Sequence, residues 1–255
     1  MKYDLTQARK CIETLDKRRF DRALLGSGDA FRHIVSLVPL LLHLNHPALP
    51  GYVEDAPAGI ADFILSNYQQ NFLSKEHPEL VENVQSAVNS DAVFAPILGI
   101  YVMGSFGSIS QTSASDLDIW ICHQDDLSEQ DQQRLAEKTK KITQWASTFH
   151  VEMHFYLMTQ KRFRNERYSD PLTKENSGSA QYMLLLEEFY RSAVRLSGKP
   201  LLWLHLWVED EKQYEAEVAR LVAEGELNPN DWVDFGGLGQ FSASEYFGAS
   251  LWQLY

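Results

Sequence analysis

The chain has 255 residues, 44% of them hydrophobic and 23% charged. That balance supports a core without disulfide or metal staples and excludes disordered and fibrous classes. Acids outnumber bases 35 to 23, for a net charge of −12, so the surface repels polynucleotides and anionic lipid outside a local basic patch.

The longest apolar run, Ile34 to Leu44, carries Pro39 inside it and is about half the roughly 20 residues of a membrane span. MKYDLTQARK turns polar too early for a secretory signal, and Cys11 and Cys122 match no metal or redox spacing. A reduced, cytoplasmic protein without membrane attachment is expected. Leu5, Ala8, Ile12 and Leu15 recur at helical spacing, and Lys17, Arg18, Arg19 and Arg22 continue that helix as a solvated basic face. Gly26-Ser27-Gly28 ends it, Asp29 caps a second helix toward His46, and a loop rich in proline and glycine leads to a third over Ser74 to Val88.

The middle changes character. Ile97 to Met103 (ILGIYVM) predicts a buried strand that ends at Gly104-Ser105, and Leu117 to Cys122 (LDIWIC) predicts a second. Leu127 to Phe149 is an amphipathic helix opened by a capping box at Ser128 and Asp131, followed by a third strand, Val151 to Met158. Ser179 to Leu196 reads as a helix, Leu201 to Val208 as a strand, and Glu209 to Glu226 as an acidic helix. The expected layout is a helical region over 1–90, an α/β core over 91–208 and a helical extension over 209–255, cut from something longer.

The chemistry concentrates in MGSFGSISQTSASDLDIWIC. Ten residues separate Ser105 from Asp116, and Asp116 and Asp118 project from one face of a strand. Two acids ending a hydrophobic strand are costly unless a cation sits there, and Mg²⁺ suits carboxylate and phosphate oxygens. Glu152 shares a strand face with His150, His154 and Tyr156. If its strand lies beside the aspartates, three acids can hold two metals about 4 Å apart for an in-line phosphoryl displacement. The Gly104-Ser105 turn then offers N–H groups and a hydroxyl to a triphosphate. Zinc on His150-x-Glu152-x-His154 is the weaker alternative, since that i, i+4 spacing belongs on a helix and this segment reads as a strand.

Strand-Gly-Ser, Asp-x-Asp on the next strand and an acid on the third resembles the nucleotidyltransferase fold of the DNA polymerase β superfamily. GSISQTSASDLDIWICHQ, SGSAQYMLLLEEFYRSAVRLSGKPLLW and GGLGQFSASEYFGASLWQLY further resemble the N-terminal catalytic region of class I, enterobacterial-type adenylate cyclases. RRFDRALLGSG and LVPLLLHLNHPALPGY are similar to that family too. The resemblance implies a mixed α+β/α/β sheet core with flanking helices and helical extensions. It implies a cyclase that turns ATP into cyclic AMP and pyrophosphate with two Mg²⁺ ions, Mn²⁺ substituting. Asp116, Asp118 and Glu152 would be the catalytic and metal-binding acids, and Gly104 and Ser105 the phosphate turn. Arg191, Arg195 and Lys199, every fourth residue along one helix, would hold the triphosphate, with Glu187 as a competing helix partner for Arg191. Family members continue into a regulatory C-terminal region. The alternatives are nucleotide transfer to a small-molecule or protein acceptor, and a non-catalytic nucleotide-binding module.

Overall fold

The computed structural model describes residues 4–81, 84, 95–112, 115–166, 179–208 and 210–238. Its centre is a mixed four-stranded sheet of order β3-β2-β1-β4, with β1 Ile97–Met103, β2 Leu117–His123, β3 Met153–Met158 and β4 Val194–Gly198. β1 runs antiparallel to both β2 and β4, while β2 and β3 are parallel. The parallel pair requires a crossover, and α4 (Glu129–Ser147) supplies it, capped by the Ser128 hydroxyl accepting from the Asp131 N–H. The expected β1, β2 and α4 therefore form within two residues of their predicted ends.

Ahead of the sheet the described residues form α1 Leu5–Leu25, α2 Asp29–His43 and α3 Asn67–Glu76. α2 tolerates Pro39 and buries Ile34, Leu37, Val38, Leu40, Leu41 and Leu42. These join Ile100, Val102, Leu117, Ile119 and Ile121 of the sheet and Leu135 and Ile142 of α4 in one core. The opposite sheet face presents Tyr101, Trp120 and Cys122 to Phe189 and Tyr190 of α6 (Ser179–Ser192) and to Phe163 of α5 (Gln160–Glu166). Among the described residues no helix is long and apolar enough to cross a membrane.

Four expectations need correction. The third helix begins at Asn67 rather than Ser74, because Ser66 and Gln69 make a reciprocal capping box; residues 82, 83 and 85–88 of the predicted span lie outside the described set. The helix expected to reach Leu196 stops at Ser192, and the chain enters β4, where Val194 pairs with Val102 and Arg195 with Tyr101. Leu201 to Val208 is no strand: Leu202–His205 is a 3₁₀ turn, since β4 already fills that edge of β1. The acidic helix is confined to α7, Tyr214–Ala223. The closing residues, 239–255, lie outside the described set.

One buried charge fixes the α2–α4 packing. Lys138 is 1% exposed and donates its Nζ to the Leu44 carbonyl at 2.8 Å and to Asn45 Oδ1 at 3.1 Å, just past the end of α2. Burial lowers its pKa from 10.5 to about 8. The unfolded chain thus holds more protons between those values, so this group makes stability rise with pH across that window. In Lys138→Met that rise is expected to vanish, measured as urea midpoints of both proteins at about pH 7.5 and pH 9.5.

Candidate active site

The turn after β1 and the start of β2 lie at the same end of the sheet, since Met103 pairs with Asp118. Asp118 is half-buried on β2, and Asp116 is exposed just before it. Leu117 and Ile119, on the other side of the strand, are buried in the α2–α4 core, which fixes the direction of both acids. The Tyr156 hydroxyl of β3 donates to Asp118 Oδ1 at 3.3 Å. The Asp118 pKa is raised, first by burial and next by the charge of Asp116, with Glu152 adding the smallest contribution. Two carboxylates that repel each other at a strand end, one of them short of water, form a donor set that a hard divalent cation would relieve.

Glu152 immediately precedes β3, and its carbonyl accepts from the Leu117 N–H at 3.0 Å, so its backbone lies beside the aspartate segment as expected. Its side chain is exposed and shares a 3.3 Å contact with His154 Nε2. Among the described residues no three His, Cys, Asp or Glu side chains are gathered as a ready-made metal cluster; the aspartates form a pair with Glu152 on the rim. The zinc alternative fails on geometry: His150 sits in a left-handed turn at φ +60°, before β3 begins.

The Gly104-Ser105 turn is built from both flanks. Gly104 adopts φ +78° with nothing within 4 Å of a would-be Cβ, so the turn is open at this residue. Its N–H donates to Ser192 Oγ at 2.9 Å, and Ser192 in turn donates to the Glu188 carbonyl at 2.7 Å. Ser105 offers its carbonyl to the Ser108 N–H and hydroxyl. Ser192 was invisible to sequence reasoning because its partner is 88 residues away.

The three basic candidates do not form a stripe. Arg191 ends α6 next to Ser192, is exposed, and pairs with Glu187 at 2.5 Å, the competing partner that its spacing suggests. Arg195, on β4, pairs with Glu13 of α1 at 3.1 Å and donates to the Gly198 carbonyl. Lys199 follows β4, where its N–H bonds the Leu98 carbonyl. Because Gly198 pairs with Gly99 and Gly99 with Cys122, Lys199 lies at the opposite end of the sheet from Asp118, about 13 Å along the strand. The period of four survives in the sequence, but the switch from helix to strand sends the three side chains to different places.

The solvated basic face expected over Lys17 to Arg22 holds at Lys17, Arg18 and Arg22, which are exposed, and needs correction at Arg19. Arg19 turns inward and donates Nη2 to the Phe106 carbonyl at 2.9 Å and Nη1 to the Ala193 carbonyl at 3.2 Å. A cavity of about 550 Å³ lies elsewhere, between α1, α2, the start of α3 and β4; paired acids beside a glycine turn, rather than cavity size, locate the site.

This chain is similar to an adenylate cyclase of Haemophilus influenzae, 66% identical over all of this chain and 31% of that protein. An adenylate cyclase of Pasteurella multocida is 60% identical over all of this chain and 30% of its own length, and one from Escherichia coli 43% identical over 96% of this chain and 28% of its own. The chain thus spans under a third of each relative's length. A solved spectinomycin adenyltransferase from Enterococcus faecialis, with ATP and spectinomycin, is 16% identical over 58% of this chain and 65% of that one, at a TM-score of 0.32, too loose a likeness to carry an argument. The family described as the adenylate cyclase NT domain matches residues 4–204, and the protein belongs to it.

Proposed function

We propose that this domain is the catalytic part of an adenylate cyclase, converting ATP to 3′,5′-cyclic AMP and pyrophosphate in the cytoplasm. The observation that carries the reading is the Asp116–Asp118 pair set beside the Gly104-Ser105 turn at one end of the sheet. Asp116 and Asp118 would hold Mg²⁺ or Mn²⁺, with Glu152 joining from the rim. Metal bound there neutralises charge between the carboxylates and the triphosphate and makes the ribose 3′-hydroxyl more acidic. Asp118 receives the 3′-hydroxyl proton. The oxygen left behind forms the new bond to the α-phosphorus, and the bond from that phosphorus to pyrophosphate breaks in line. The Ser105 hydroxyl holds the phosphates together with turn amides other than those of Gly104 and Gly107, which donate to Ser192 and Gln111, and Arg191 swings from Glu187 to the leaving pyrophosphate. Arg195 and Lys199 are left out of this reading on position: the Arg195 guanidinium reaches the Gly198 carbonyl, toward the end of β4 away from Asp118, and Lys199 follows at that far end. Regulation is assigned to the part of the relatives' length that this chain does not span.

Cyclisation needs no acceptor site, so the purified chain with ATP and Mg²⁺ is expected to form cyclic AMP and pyrophosphate with nothing else added. An ATP analogue lacking the 3′-hydroxyl should bind and never react, because the nucleophile is gone. An AMP-modified acceptor without cyclic AMP under any condition overturns the cyclase reading in favour of nucleotide transfer. In the same assay Arg191→Ala is expected to lower kcat/KM for ATP by about tenfold or more, the loss of one charge-assisted phosphate contact. An unchanged kcat/KM would confine Arg191 to its helix pair.

A further inference from the structure

We infer that Arg19 of α1 is a positioning residue for the nucleotide turn, acting through the backbone of Phe106. The inference rests on the ATP site proposed above and adds α1 to the unit that forms it. The guanidinium bridges two carbonyls that are distant in sequence: Phe106 in the turn, and Ala193 where α6 passes into β4. That second segment also carries Ser192, whose hydroxyl accepts the Gly104 N–H. Arg19 therefore closes a triangle of α1, the turn and the α6–β4 junction, with Gly104 and Ser105 on one side of it.

The rest of α1 seats the same turn. Phe106 is buried against Phe20 at a ring separation of 6.0 Å, and against Phe31 of α2 at 6.3 Å. Gln111 accepts from the Gly107 N–H at 2.7 Å and donates to the Ala23 carbonyl and Ser27 Oγ. These contacts fix the far half of the turn, and only Arg19 ties its centre to the α6–β4 junction among the described contacts of α1. A flat guanidinium presents several donors in a rigid fork and can satisfy two carbonyls at once, whereas a lysine ammonium is a compact point charge on a flexible stem. The role thus depends on shape as well as charge.

The test uses the purified chain as wild type, Arg19→Met, Arg19→Lys and, as a control on the exposed side of the same helix, Arg18→Met. Amide hydrogen exchange is read at residues 104–111 without nucleotide, together with thermal unfolding and the separate kcat and KM for ATP. In Arg19→Met, exchange at those amides should rise by about tenfold or more while amides of β2 stay protected, a local opening rather than global unfolding. KM should rise by about tenfold with a smaller change in kcat, as expected when phosphate binding loosens before the chemistry. Arg19→Lys should follow Arg19→Met, and Arg18→Met should match wild type. Unchanged exchange in Arg19→Met overturns the inference, as does faster exchange with unaltered KM and kcat, or full rescue by lysine. If wild type neither binds nor turns over ATP, the cyclase reading fails by itself, and exchange at 104–111 alone decides whether Arg19 holds the turn.

Discussion

Asp118→Asn is expected to reduce kcat/KM for ATP by about 100-fold or more while leaving the fold intact, the scale seen when one preorganised electrostatic group is removed. The backbone of Asp118 is fixed from both sides, by Met103 of β1 and His154 of β3. The amide has the same shape, and its oxygen can still accept from the Tyr156 hydroxyl. What disappears is the negative charge that would hold the metal and the basic oxygen that would take the proton. Stability should move the other way. The pKa of Asp118 is raised above 3.8 in the fold, so the folded chain binds the extra proton more tightly than the unfolded one. That stabilisation is complete below the unfolded pKa and lost as pH rises through the folded one. At pH 7 the ionised acid therefore costs stability, and Asp118→Asn should melt at or above the wild-type temperature, with the difference shrinking toward about pH 4. Kinetics at neutral pH and melting at both pH values check the two halves. Near-normal turnover in the amide variant would remove Asp118 from the site.

The parts of this arrangement that sequence reveals are those whose signal is local. ILGIYVM and LDIWIC are β-branched and aromatic runs too short for a helix, and both form strands. Gly-Ser and Asp-x-Asp abut those runs, so finding the strands places the turn and the acids. The errors arise where a distant partner outweighs local pattern. SAVRLSGK continues a helical period, yet Val194 gains a ladder partner in Val102 and a place in the core, and the helix gives way to β4. LLWLHLWV has strand composition, but no vacant edge of β1 remains for it. Arg19 stands among four bases on an exposed-looking helix, and nothing within that helix distinguishes it from Arg18. Only the approach of Phe106 and Ala193 does so. Glu152 was legible as a neighbour of the aspartates, whereas the outward turn of its side chain toward His154 depends on rotamers that no spacing rule encodes.

Gly107→Ala is expected to be the most damaging single methyl that can be added near the site. Gly107 adopts φ +66°, where a Cβ costs about 1–2 kcal/mol by crowding the following carbonyl. The added carbon would also lie 2.3 Å from the Arg19 carbonyl oxygen and 2.7 Å from its carbon. Those are backbone atoms of α1, with no flexible side chain to swing aside, so either the helix or the turn must move. Overpacking of that kind adds about 1–3 kcal/mol, and for a domain of this size the total corresponds to a fall in melting temperature of about 10 °C. Gly104→Ala separates strain from collision, because Gly104 is also left-handed at φ +78° yet has nothing within 4 Å of the new carbon. Its melting temperature should fall by about 3–6 °C, from the backbone cost alone. Their activities should differ in kind. Gly104→Ala puts a methyl where the phosphates are proposed to sit and should weaken ATP binding in a protein that remains well folded. Gly107→Ala pushes α1 from the turn and should also speed amide exchange at residues 104–111, as removal of the Arg19 guanidinium does. Equal melting temperatures for the two variants would mean that α1 yields freely, and that the turn does not depend on its close approach.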